Sequence, residues 1–177
     1  ITAADAMVKK ASLKLLEAGT IHPGKYIVLI GGDVGSVEES YKEGLGINSE
    51  SLVDDVFLPD VHKQVFDAVF GKTKNNKLDA LGVIETSTVA SNIKAADSGV
   101  KGAEVIINEI RLADDLGGKS FTIFAGNVEN VQAAVEIGVG RIKDKDIKIK
   151  TTIIPRIDEW IASRIGISSR FFLKGEG

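Results

Sequence analysis

The sequence predicts two α+β domains of like build, arranged in tandem, and three observations predict it. The first is a duplicated helix: Ile93-Lys-Ala-Ala-Asp-Ser-Gly-Val-Lys-Gly-Ala103 shares Ile, Ala, Ala, Asp, Val, Lys and Ala with the opening Ile1-Thr-Ala-Ala-Asp-Ala-Met-Val-Lys-Lys-Ala11, each 92 positions earlier. The second is that the register persists. Gly24-Lys25 returns as Gly118-Lys119, and Gly32-Asp33-Val34 with Val37 returns as Gly126-Asn127-Val128 with Val131, both 94 apart; Pro59 returns as Pro155, 96 apart. The third is the order of apolar patterns, which alternates strand-like and helix-like runs within each copy. A repeat near 90 residues is too long for a solenoid unit and has the size of a small domain.

The opening helix gathers its small apolar residues on one face, as Ile93, Ala96, Val100 and Ala103 do in the second copy. Small residues there let another element pack closely. Asp97 and Lys101 stand four apart with the acid first, an ion pair that contributes only a few tenths of a kcal/mol in a helix. The first copy continues with strands over Lys14–Ala18 and Lys25–Ile30, a helix over Asp33–Gly44 and a strand over Leu52–Leu58. Residues 1–70 form this domain, and the polar, breaker-rich 71–79 stretch is the linker.

The second domain covers 80–165. Ala80–Glu85 reads as a buried strand, Thr86–Gly102 as the helix, Glu104–Arg111 as an alternating strand and Lys119–Ala125 as the next strand. Asn127 is a good N-cap for a helix over Val128–Gly138 with Val131, Ala134 and Val135 inward. Ile147–Ile154 alternates as a fourth strand, ended by Pro155, and Asp158–Arg164 reads as a short closing helix before a 166–177 tail. The order βαββαβα predicts a ferredoxin-like plan, with helices on one side of a mostly antiparallel sheet. A first-copy counterpart of Ala80–Glu85 falls about thirteen residues before Ile1 at the 92-residue offset. Arg170-Phe-Phe-Leu-Lys174 is the one spare strand-like segment to fill that place.

Composition narrows the function. A net charge of −3 gives no basic footprint for nucleic acid. Zero cysteines remove disulfides, thiolate metal sites and cysteine-ligated clusters. No apolar run nears the ~20 residues that span a bilayer, so a soluble, intracellular protein with no membrane partner is expected. Gly71-Lys72-Thr73 ends like a phosphate-binding loop, but Phe66 stands where that motif needs glycine. Ile30-Gly-Gly-Asp-Val-Gly35 has the context of a dinucleotide fingerprint and lacks its third glycine, so a turn followed by a helix cap explains it better. His22 and His62 are the only histidines, lie in different elements and have no histidine counterparts in the second copy; His62 reads as a helix-start surface residue. No serine is paired with a base, and the motifs predict no enzyme.

Taken together, the repeated Ala-Ala-Asp-x-x-Val-Lys-x-Ala helix, Leu81-Gly-Val-Ile-Glu-Thr86, the Gly-Gly-Lys loop, the Gly-Asn/Asp-Val-x-x-Val turn and Ile154-Pro155-Arg156 resemble the bacterial microcompartment shell domain. Two fused copies resemble the tandem, trimer-forming class over about residues 1–165. The resemblance implies a pseudohexagonal homotrimer of six ferredoxin-like domains around a central pore, tiling with other shell proteins in the bacterial cytoplasm and passing small metabolites. It also implies a pore lined by His22, Pro23 and Gly24 together with Asp114, Asp115, Leu116, Gly117 and Gly118, and tile-edge contacts from Lys9 and Lys101.

Some members of this class carry, at the position of His22, a cysteine that holds an iron–sulfur cluster on the three-fold axis. Lacking cysteine, this chain is expected to hold no such cluster and no cofactor. Three His22 side chains on the axis form a candidate site for a zinc-like or copper-like ion, with a plain pore lining as the simpler expectation. Two further readings stay open at this point: a metal- or electron-carrying shell module built on His22, and a small-molecule sensor built from tandem ferredoxin-like domains.

Overall fold

The computed structural model describes residues 1–47, 49–72, 79–113 and 116–165. Asp114 and Asp115, most of the 71–79 linker, and the 166–177 tail with Arg170–Lys174 lie outside the described residues. The chain divides into two compact units, Ile1–Pro59 and Asp60–Gly177. The first holds helix α1 (Thr2–Lys10), strands β1 (Leu15–Ile21) and β2 (Lys25–Gly31) and helix α2 (Val34–Ile47). The second holds α3 (Lys63–Val69), β3 (Ala80–Thr86), α4 (Val89–Gly102), β4 (Ile106–Leu112), β5 (Ser120–Gly126), α5 (Val128–Gly140), β6 (Ile149–Ile154) and α6 (Glu159–Ala162).

The second unit shows the full plan. Its four strands lie in the order β4-β5-β3-β6, every pair antiparallel, which is the ferredoxin-like order. One sheet face carries α4 and α5, and glycines set how closely they pack. A Cβ on Gly82 of β3 would stand 2.6 Å from Val131 Cγ1, one on Gly99 2.7 Å from the Ala134 carbonyl oxygen, and one on Gly138 2.7 Å from that of Ala95. A side chain at any of the three would force the helices off the sheet. A buried polar group is fully partnered here: Asn92 Nδ2 donates to the Ile84 carbonyl at 3.0 Å, and Thr122 Oγ1 donates to Asn92 Oδ1 at 2.6 Å. On the opposite face Leu81, Ile123, Ala125 and Ile157 form a second apolar cluster, with Ala162 and Ile165 of the closing segment packed against it.

The first unit repeats the hairpin register. Glu17 pairs with Leu29 and Thr20 with Tyr26, and their counterparts Glu109 with Ile123 and Leu112 with Ser120 pair likewise. A bulge between Ile107 and Glu109 absorbs the local mismatch. The expected strand over Leu52–Leu58 is a correction: no ladder forms there. Its counterpart β6 pairs only with β3, and among the described residues the first unit has no equivalent of β3 to receive it. The segment is held by side chains instead. Tyr41 of α2 stacks on Phe57 with centroids 5.5 Å apart and donates its hydroxyl to Asp55. Burial, then that bond, push the Tyr41 hydroxyl pKa well up, so it stays protonated as a donor.

Helix starts follow the expected chemistry. Asn127 Oδ1 accepts from Asn130 N at 2.8 Å, and Asp33 Oδ1 accepts from Ser36 N at 3.0 Å, which makes Gly31-Gly32-Asp33 a turn and cap. Helix α4 begins at Val89, later than Thr86, because Thr86 still pairs with Ser120 and Ile149 in the sheet.

Candidate functional site

Two features recur in both units and are the candidates for function: the hairpin turn and the acid–lysine pair at the end of the first helix. The β1–β2 turn is His22-Pro23-Gly24, all three exposed. It closes through Gly24 N donating to the Ile21 carbonyl at 3.1 Å, with Gly24 at φ +81, a conformation that suits glycine. In the β4–β5 turn Leu116 N donates to the Ala113 carbonyl at 3.1 Å and Lys119 N to the Leu116 carbonyl at 3.2 Å, with Gly117 and Gly118 at φ +62 and +79. The structure thus places His22, Pro23 and Gly24 together on one turn and Leu116, Gly117 and Gly118 on the equivalent turn; Asp114 and Asp115 lie outside the described residues. No group of three or more metal-ligating side chains occurs within the described residues of one chain.

Lys101 and Lys9 end α4 and α1 in equivalent places with different surroundings. Asp97, its side chain 6% exposed, accepts from the backbone N of His62 at 2.7 Å and from Lys101 Nζ at 2.7 Å. Lys101 Nζ also donates to the Asp60 carbonyl. Asp5 and Lys9 make the same 2.7 Å ion pair at the surface, 58% and 73% exposed. A buried, charge-assisted bond of the first kind contributes about 1.5–3 kcal/mol, and the exposed pair under about 1.

Residues 60–69 are what sequence reasoning missed. Gln64 of α3 closes the outer edge of β4, accepting from Ile107 N at 2.9 Å through Oε1 and donating to the Val105 carbonyl at 3.3 Å through Nε2. His62 caps α3, its Nδ1 accepting from Gln64 N at 3.3 Å. A signal was present: the duplicated Asp-Lys pair has no adequate use within its own helix, and Pro59 matching Pro155 marks where each copy's partner segment begins.

Comparison with known proteins decides the family. The model of the BMC domain matches residues 1–61 and again residues 80–157. The chain belongs to the BMC domain family. The bacterial microcompartment shell protein PduT of Citrobacter freundii is 37% identical to it over 157 residues, covering 89% of this chain and 85% of that one. A crystal structure of a microcompartment protein from Desulfitobacterium hafniense superposes with a TM-score of 0.80 at 41% identity, over 92% of this chain and 90% of the other. A fused permuted hexameric shell protein of the RMM microcompartment shares the fold at a TM-score of 0.54 and 18% identity, over 80% and 76% of the two chains. The BMC chain is therefore a bacterial microcompartment shell protein similar to PduT, built from two BMC domains in tandem. These similarities support the shell reading and neither the metal-carrier nor the sensor alternative. No helix among the described residues is long and apolar enough to cross a membrane.

Proposed function

We propose that three copies of this chain close a flat ring of six BMC domains, which tiles with other shell proteins around encapsulated enzymes and passes small metabolites through a central pore. The observation that carries this reading is the hairpin repeated in one register in both units, each ending in a glycine turn at the equivalent place. A ring of such chains alternates two kinds of turn around its hole: three of His22-Pro23-Gly24 and three of Asp114–Gly118.

Three imidazoles with six carboxylates favour cations and polar neutral molecules over anions. The donor set that three His22 side chains would offer is imidazole without thiolate, which fits a zinc-class or copper-class ion and does not fit a cysteine-ligated cluster. Elemental analysis of the purified protein beside a His22→Ala variant tests this: metal in the parent and none in the variant supports the ion, and a metal-free parent leaves His22 as pore lining.

Lys9 and Lys101 are the edge contacts. Lys101 gives two of its three ammonium protons to Asp60 and Asp97, and the third serves a neighbouring tile's carbonyl. Negative-stain imaging tests the shell function. Hexagonally ordered sheets are expected, and a protein that stays as isolated particles at every concentration contradicts it.

A further inference from the structure

We propose that the second unit carries an oxyanion seat, formed by Arg111, Lys119 and Lys150 around Phe121, that takes the carboxylate or phosphate group of a small metabolite. The seat is complete within one chain; only its place beside the hole rests on the ring proposed above.

The sheet lays these groups in one row. Arg111 of β4 stands opposite Phe121 of β5, Phe121 opposite Glu85 of β3, and Glu85 opposite Lys150 of β6. Residues directly across a ladder share a face. That face is the one free of α4 and α5, because Phe121 packs there against the cluster of Leu81 and Ile123. The row lies at the end of the sheet that bears the β4–β5 turn. Lys119 closes the turn, and the Ser120 hydroxyl beside it donates to the Arg111 carbonyl at 2.7 Å.

Carboxylates hold two of the three cations in place. Glu109, its side chain 7% exposed, accepts from Arg111 Nε at 2.9 Å and from Nη2 at 2.5 Å through one oxygen, and the guanidinium lies 5.2 Å over the Phe121 ring. This fixes the plane of the fork and leaves the other N–H groups of Arg111 without a partner among the described residues. Lys119 Nζ is held by Glu85 Oε1 at 3.2 Å. Lys150 is exposed and has no ion pair among the described residues. Arg111 and Lys150 stand about 14 Å apart across three ladders, with the Lys119 ammonium at Glu85 between them. Three cations thus face two carboxylates that are already engaged, and the excess positive charge with open donors is what an oxyanion requires.

The first unit shows that the seat is no part of the shared pattern. Glu17 and Lys25 stand at the places of Glu109 and Lys119, whereas Gly19, Ile27 and Asp54 stand at those of Arg111, Phe121 and Lys150. The framework is kept and the groups that would hold an anion are lost, one of them by reversal of charge. Because the seat lies on the sheet and not in the hole, it is compatible with a hole that favours cations and polar neutral molecules: an anionic metabolite is held at the mouth.

Calorimetric titration of the full chain tests this, with inorganic phosphate and acetate as separate probes and chloride as the control. Saturable binding of one oxyanion per chain is expected, with a Kd on the order of 1 mM. Lys150→Asp, and Arg111→Lys, which keeps a charge for Glu109, are each expected to raise that Kd about tenfold or more with unchanged circular dichroism. Lys25→Ala in the first unit is expected to leave it as in the parent. Tighter binding of phosphate assigns the seat to phosphorylated metabolites, and tighter binding of acetate to carboxylated ones. No saturation by either probe, equal heats from chloride, or a Kd that both seat variants leave unchanged overturns the seat, whatever the native mass of the protein. A single-chain native mass overturns the ring and removes only the seat's place beside the hole.

Discussion

The two units have one ancestral pattern and unequal surroundings, and the difference separates what residues specify from what neighbours supply. Strand β4 is largely buried and β1, its repeat in the same register, is largely exposed. Asp97 is a buried backbone anchor and Asp5 a surface partner. The extended edge β6 has its ladder, while Leu52–Leu58 relies on Tyr41. In each pair the residues are alike, and what changes is whether α3 or a strand like β3 stands beside them. Burial therefore follows the neighbouring element and not the repeated pattern alone.

The largest effect that should break this comparison lies where the helices meet. Gly138→Ala puts a Cβ 2.7 Å from the Ala95 carbonyl oxygen, against rigid backbone, whereas the repeat position Gly44 faces the flexible side chain of Met7. Gly138→Ala is expected to destabilise by about 1–3 kcal/mol and Gly44→Ala by much less, read as the shift of each denaturation midpoint. Next comes the acid pair. Asp97→Ala leaves the His62 N–H and Lys101 without their buried acceptor and is expected to cost about 2–3 kcal/mol. Asp5→Ala in the dissociated chain is expected to cost about 0.5 kcal/mol or less, so urea titrations should separate the two clearly.

The smallest effect sharpens the comparison at the second helix of each unit. Asn127→Ala removes an N-cap and should cost about 1 kcal/mol at any pH. The equivalent cap Asp33 titrates. Accepting the backbone N–H and hydroxyl of Ser36 holds its carboxyl below the ordinary carboxylate range. Its contribution is therefore complete above the unfolded carboxylate pKa and is lost as pH falls through the lowered folded value. Amide exchange at Ser36 and Val37 should accelerate in acid, and exchange at Asn130 and Val131 should show no matching step; equal behaviour would remove Asp33's role.

Much of this was legible in the residues. Helix caps at Asn127 and Asp33, the glycine turns and the strand order follow from local chemistry, and the 92-to-96 offsets locate every repeat. The segment at Leu52–Leu58 was misread because a strand pattern states a propensity, whereas a strand needs a partner. Helix α3 was signalled only at His62: seven residues are too few for periodicity to show, and its role comes from packing on β4. The acid–lysine pair looked like a weak intrahelical contact because its real partners, the backbone of residues 60 and 62, have no side-chain signature.

The most direct test of the central claim is the native mass of the purified chain across concentration. Two fused BMC domains closing a six-cornered ring predict about 56 kDa, three times the 18.8 kDa chain; a species that stays at one chain at all concentrations would contradict the account.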